Sequence, residues 1–393
     1  MYGLVLEGGG AKGAYHVGAY KALKELNIEI GGIAGTSIGA INGAMMVQGD
    51  YELLEKVWYS INSYELFDIN FNLNEINLSY LLHQSKEILA NRGLDTSKIR
   101  ELFETYIDED KIRSSNIDFG IVTVNLTDRK PMELLIEDIP EGKLVDFLIA
   151  SANLPAFRIE EMDGKKYLDG GFYNNLPIDI LANKGYKNII AVRTMAKGII
   201  RKVKIKDLNV TYIQPMESLG GVLGALDFNR ERAEYFINLG YYDTMKVFKK
   251  LKGFKYYCIP FEESYLDLLL KFYHENKEKI LSIGKLLGYE DISEDRVFFE
   301  NILPRLENIL DMKGRNDYQD ICLRFFERIA EKYKVERFKI YRAEDFIKII
   351  IEKFKENPTS YIKNVPGFIK HNKILSLAVK EDLIVEIFAD LFV

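Results

Sequence analysis

Gly35-Thr36-Ser37-Ile38-Gly39 is a G-x-S-x-G pentapeptide placed where an apolar run, Ile33-Ala34, gives way to a small-residue helical run from Ile38 to Val47. A serine that is to attack a carbonyl must stand clear of a sheet on a sharp strand-to-helix turn, where side chains two residues to either side would clash. Ser37 is therefore the candidate nucleophile, with Gly35 and Gly39 as its elbow. A second feature is the cluster Gly8-Gly9-Gly10-Ala11-Lys12-Gly13, which follows a short apolar run, Tyr2 to Leu6. It precedes a helical spacing of Val17, Tyr20, Leu23 and Leu26. The backbone N–H groups of such a loop at a helix N-terminus hold anionic oxygen: a pyrophosphate in one kind of fold, the oxyanion of an acyl-transfer intermediate in another.

Two rival readings share these residues. Ile30 to Gly49 carries no charge and is long enough to span a membrane, with Gly35, Gly39 and Gly43 at the G-x-x-x-G spacing of helix pairs. Its glycines weaken an isolated helix and its large aliphatics are few, so a short buried strand, Gly32 to Gly35, followed by a helix lying close on a sheet fits better. The glycine cluster also satisfies the G-x-G-x-x-G of a dinucleotide-binding unit, which wants an acid closing the second strand. Glu29 is near the required distance but precedes that strand.

The elements that must position these motifs alternate. Tyr51 to Ile61 reads as a helix, and Asn62 to Asn77, with little period, as a lid or a plain surface excursion. Leu78 to Ala90 and Thr96 to Tyr106 are helical; Ile117 to Leu126 and Met132 to Ile136 are strands joined by Thr127-Asp128-Arg129-Lys130. A helix from Lys143 to Ala152 and a strand from Lys165 to Leu168 lead into Asp169-Gly170-Gly171. Asn175-Leu176-Pro177 opens a helix through Lys184, and Asn188 to Arg193 and Val210 to Gln214 are further strands. This order predicts an α/β layer architecture with a mainly parallel sheet. Beyond it come a long helix, Arg230 to Leu251, a last strand, Tyr256 to Ile259, and a charged helical region. Residues 1–260 are thus expected as one domain and 261–393 as a helical C-terminal extension.

Of the 393 residues 47% are apolar and 28% charged, and the net charge of −6 gives no electrostatic reason to expect nucleic acid as a partner. Cys258 and Cys322 form neither a disulfide framework nor a metal spacing, which suits a reducing compartment. The N-terminus has no basic region, and Glu7 interrupts its apolar run, so the expectation is a cytoplasmic protein with at most peripheral membrane contact.

The glycine loop, the G-x-S-x-G elbow and Asp169-Gly170-Gly171 occur in that order. Ser151-Ala152-Asn153-Leu154-Pro155-Ala156-Phe157 stands before the last of them and Asn175-Leu176-Pro177 after it. The set closely resembles the patatin-like phospholipase family, over about residues 3 to 193 and not in the helical C-terminal region. The resemblance implies a three-layer α/β fold with a mainly parallel central sheet and a cofactor-independent lipid acyl hydrolase of the phospholipase A or lysophospholipase type. It implies Ser37 as nucleophile and Asp169 as its base, without histidine. It places the backbone N–H groups of Gly8, Gly9, Gly10, Ala11 and Lys12, in the loop closed by Gly13, at the oxyanion. Gly170 and Gly171 would leave room for the serine. A partly desolvated carboxylate is a better base near neutral pH, although Asp-Gly is also a common turn.

His16 lies just after the glycine loop, and His83, His274 and His371 stand in helical stretches where packing or surface roles suffice; metal ligation has no supporting spacing. A soluble ester or thioester hydrolase, a Rossmann-type nucleotide binder and a partner-binding protein are the alternatives. Lys197, Arg201, Lys202, Lys204 and Lys206, interleaved with Ile199, Ile200, Val203 and Ile205, suit contact with anionic lipid. The same pattern suits an edge strand protected by lysines.

Overall fold

The structure is a computed structural model that describes residues 1–67, 94–158, 161–221, 223–262, 264–289, 292–293, 296–312, 317–357 and 375–392. It divides into two compact units, Met1–Val247 and Phe248–Val393.

In the first unit the described residues form an eight-stranded sheet. Its strands are β1 (Tyr2–Leu6), β2 (Ile30–Thr36), β3 (Asp118–Asn125), β4 (Lys130–Leu135), β5 (Glu161–Met162), β6 (Lys165–Asp169), β7 (Asn188–Val192) and β8 (Asn209–Ile213). The spatial order is β5-β6-β3-β2-β1-β7-β8, with β4 also paired to β3. The β3-β2-β1-β7-β8 run is parallel; β4 and β6 lie antiparallel to β3.

Strand periodicity sorts the core into two faces. Val5, Ala34, Val122, Ile189 and Ala191 pack with Ile178, Ile180 and Leu181 on one face. On the other, Leu6, Ile33 and Phe119 lie under Gly43, the residue that lets the serine helix approach the sheet. Helices on both faces give the three layers expected from the resemblance.

The helices needed below are α1 (Ala14–Glu25), α2 (Ile38–Val47), α3 (Tyr51–Ser60), α4 (Ser63–Phe67), α5 (Ser97–Tyr106), α6 (Glu109–Arg113), α7 (Leu144–Ser151), α8 (Ile178–Asn183) and α9 (Arg230–Phe248). α1 and α9 cross at backbone contact, Gly18 against Ile237 O and Gly240 against Tyr15 O. At the same crossing the Tyr15 hydroxyl donates to Asp243 at 2.9 Å.

One edge of β3 is shared end to end. Thr36 of β2 pairs with Val122, and Asp169 of β6 pairs with the next residue, Thr123, while β4 occupies the opposite edge. β2 runs parallel to β3 and β6 antiparallel to it, so their C-terminal ends meet head to head. The geometry carries Ser37, one residue past β2, to Asp169, the last residue of β6.

Three expectations change. The stretch from Asn62 begins with a helical turn, α4, where Ser63 accepts Phe228 N–H and donates to Leu226 O; the rest of the suggested lid, and the helix read over Leu78 to Ala90, lie outside the described residues. Residues 197–206 are irregular and not a strand, because β8 takes the edge of the sheet. In the second unit Ile340–Arg342, read as helical, is a strand pairing in parallel with Tyr257–Ile259. Its register is too short to show a period of two. Helices over Tyr265–Glu275, Lys277–Leu286, Tyr318–Lys332, Ala343–Glu356 and Leu377–Phe392 supply most of the rest of that unit. No described helix is long and apolar enough to cross a membrane.

Candidate active site

β2 leaves the sheet at Ser37 with φ 57° and ψ −126°, and α2 starts at the next residue. The local sequence imposes this turn. A methyl group at Gly35 would run into the Gly39 carbonyl, and one at Gly39 into Leu6 O. The Ser37 amide donates to Ser151 Oγ at 2.9 Å, and the Ser151 hydroxyl donates to Val122 O at 2.7 Å. Thr36 Oγ1 ties the end of β2 to Asn174 O at 2.8 Å.

Asp169 is 3% exposed. Its carboxylate accepts the Gly171 amide at 2.7 Å and a hydrogen bond from the Ser37 side chain. Burial pushes its pKa up to about 6, against these two hydrogen bonds, which pull it down. Gly170 is required because Val122 O occupies the place of its Cβ.

The glycine loop becomes a 3-10 turn over Gly10–Gly13. Its donors divide. Gly8 N donates to Asn175 O at 3.2 Å and Lys12 N to Gly9 O at 3.3 Å. That corrects the expectation that both face an oxyanion. Gly13 packs on Ile38 and offers its carbonyl to Asn42 Nδ2, so it serves the α1–α2 contact. The amides of Gly9, Gly10 and Ala11, and of Ile38 at the start of α2, have no acceptor among the described residues. The Ile38 donor follows from the general chemistry of helix N-termini.

Behind the loop Glu7 is fully buried. Its Oε2 accepts the amides of Thr194 (2.7 Å) and Met195 (3.0 Å), and Thr194 Oγ1 donates to Gly8 O at 2.6 Å. Burial raises the Glu7 pKa, with Arg193 opposing. Met195, held by this carboxylate, takes a positive φ of 53°. Burial lowers the Lys12 pKa, and the nearby Arg232 charge adds to the effect.

Ser37, Asp169, Gly9, Gly10 and Lys12 line one cavity of about 850 Å³. Its far wall is apolar, from Ile41 and Met45 on α2, Leu54, Val57 and Trp58 on α3, Phe67 on α4, and Phe103 on α5. Phe157 stacks on Phe67 (5.6 Å between centroids) and Phe228 on Trp58 (5.9 Å). At the mouth stand Phe172, Met195 and Ile199, each about half exposed, together with Lys197.

His16 is buried beneath the loop, its Nδ1 3.3 Å from Asn42 Nδ2, and burial holds its pKa down at about 3. It does not line the cavity. His274 is exposed on its helix, and His83 and His371 lie outside the described residues. Glu29 precedes β2, at the end of the sheet opposite to the glycine loop and away from where a dinucleotide's ribose would bind. Sequence reasoning named Ser151 and Asn175 only as members of the flanking motifs and Ile38 only within the elbow. It gave no role to any of them or to the aromatic wall, whose signal was the aromatics of α3 to α5.

Residues 4–182 match the model of the patatin-like phospholipase family. The chain is 26% identical over 314 residues to a patatin-like phospholipase domain-containing protein, ZK370.4, of Caenorhabditis elegans, covering 75% of this chain and 21% of that protein. It is 31% identical over 196 residues to lysophospholipase nte1 of Aspergillus fumigatus, covering 48% of this chain and 12% of that one. The chain thus spans about a fifth or less of the length of these relatives. Among solved structures, VipD from Legionella pneumophila aligns over 100% of this chain and 91% of that chain at 13% identity, with a TM-score of 0.36. That likeness carries no structural argument. The glycine loop, the serine elbow and the Asp169 turn all fall inside the matched span, and residues 4–182 of this chain belong to the patatin-like phospholipase family.

Proposed function

We propose that this chain is a serine lipid acyl hydrolase, of the phospholipase A or lysophospholipase type, using Ser37 as nucleophile and Asp169 as base. The observation that carries this reading is the hydrogen bond between Ser37 and a buried, pKa-raised carboxylate in the wall of a largely apolar cavity of about 850 Å³. The acyl chain occupies the cavity, where each buried CH₂ contributes about 0.8 kcal/mol, roughly fourfold in binding.

Asp169 accepts the Ser37 proton as Oγ bonds to the ester carbonyl carbon. The oxyanion takes hydrogen bonds from the amides of Gly9, Gly10 and Ile38, each such donor being worth on the order of 10²-fold in rate. Collapse expels the alcohol, which leaves with the proton from Asp169. Water, deprotonated by Asp169, then cleaves the acyl-enzyme and restores Ser37.

For the partner we propose an anionic membrane surface. Lys197, Arg201, Lys202, Lys204 and Lys206 are exposed with no carboxylate partner among the described residues, and Ile199 and Ile200 are exposed between them. Ile199 N donates to Gly171 O at 2.9 Å, so this segment adjoins the Asp169 turn. We place the protein in the cytoplasm because Cys258 and Cys322 are not joined in a disulfide among the described residues.

A fluorophosphonate probe tests the nucleophile. The probe is expected to label the wild-type chain and to spare Ser37→Ala; equal labelling of both would remove Ser37 from the reaction. Turnover confined to short, water-soluble esters or thioesters would favour the soluble-ester reading over the lipid one.

A further inference from the structure

A single short segment holds the backbones of both Ser37 and Asp169. At the C-terminal end of α7, the Ser151 hydroxyl accepts the Ser37 amide at 2.9 Å and donates to Val122 O at 2.7 Å. Two residues further on, Asn153 O accepts the Asp169 amide at 2.9 Å. The Asn153 side chain donates to Tyr167 O, on β6, at 2.9 Å. Both residues are buried, and neither lines the cavity.

The position of the hydroxyl has a physical reason. Val122 pairs with Thr36, the last residue of β2. Val122 O and Ser37 N are the groups a longer β2 would join directly; here the Ser151 hydroxyl stands between them. The nucleophile stays tied to β3 while its backbone swings out of the sheet into the φ 57° turn. Such a backbone persists only where its surroundings over-determine it. Because the Asp169 amide is bound two residues along the same segment, the spacing of serine and carboxylate is referred to residues 151–153.

We infer that Ser151 is a positioning residue, whose hydroxyl fixes the Ser37 backbone against the segment that also carries Asp169 and so keeps nucleophile and base in hydrogen-bonding contact. The inference rests on the Ser37–Asp169 reading proposed above. It gives a role to a side chain that touches no substrate.

Ser151→Ala removes the acceptor for Ser37 N–H and the donor for Val122 O. With a long-chain nitrophenyl ester, kcat is expected to fall on the order of 10²-fold, the scale of a misplaced reacting group, with KM within about twofold. The midpoint of the kcat/KM pH profile should move up from about 6, because Asp169 loses the Ser37 hydrogen bond that lowers its pKa. A hydroxyl that merely stabilised the core would lower Tm and leave that midpoint in place.

Ser151→Thr crowds a fully buried position with a methyl group but keeps the hydroxyl, and should retain the midpoint and most of kcat. A folded Ser151→Ala chain with wild-type kcat and midpoint overturns the inference, as does a Thr variant that loses as much as the Ala variant. Should Ser151→Ala not fold, Ser151→Cys, which fills the volume with a weak hydrogen-bonding group, is judged by the same two readouts. Failure of the underlying reading is distinguishable: Ser37→Ala would then still react with the probe.

Discussion

In the proposed reaction Asp169 must accept a proton at the working pH, and burial brings its pKa up to about 6. The ionised form is the base, so kcat/KM should fall roughly tenfold per unit as pH drops below that midpoint and level off above it. Asp169→Asn keeps the shape and cannot accept the proton; its turnover should be lower by roughly 10²- to 10⁴-fold. His16→Gln should keep kcat within about threefold in the folded chain, since His16 is held neutral under the loop by its own burial and lies outside the cavity. A loss with His16→Gln as deep as with Asp169→Asn would replace the dyad with a triad. Ser37 was legible in the sequence because the steric demands of its turn are local, Gly35 and Gly39 lying two residues away. The role of Ser151 was not, since a serine at the head of a flanking motif looks ordinary until Val122 and Ser37 are seen on either side of it.

At the level of elements, α2, α3, α4 and α5 build the apolar wall; the helical spacing of α2, α3 and α5 could be read, while the α4 turn and the cavity they share could not. Val57 on α3 is buried in that wall. Val57→Phe should shorten the cavity: the ratio of kcat/KM for a palmitoyl over a butyryl ester should fall at least about tenfold, with the butyryl value held within about threefold. Equal losses on both esters would mean that acyl chains bind elsewhere. The alternation of cations and aliphatics over Lys197 to Lys206 misled in the opposite direction. Glu7 collects the amides of Thr194 and Met195 and turns the chain away from the sheet after β7, so a strand-like pattern lies in irregular backbone. The meeting of β2 and β6 on one edge of β3 had no local signal, because sheet register depends on residues far apart in the chain.

For the whole molecule, membrane association should be electrostatic and seated on the first unit. With Lys197, Arg201, Lys202, Lys204 and Lys206 all changed to Gln, sedimentation with anionic vesicles should drop by at least about tenfold and lose its salt dependence, each basic group near the surface contributing on the order of 1 kcal/mol. Unaltered sedimentation would move the contact elsewhere. If the proposed dyad holds the reaction, the head-to-head seam of β2 and β6 also sets when a growing chain becomes reactive. The serine emerges from the ribosome about 130 residues before its carboxylate, an interval of roughly 7 to 26 s at ordinary rates of synthesis. On the proposed dyad, until β6 docks beside Thr123 the nascent chain presents an elbow with nothing to take its proton, and the proposed lipid hydrolysis would wait for the finished sheet.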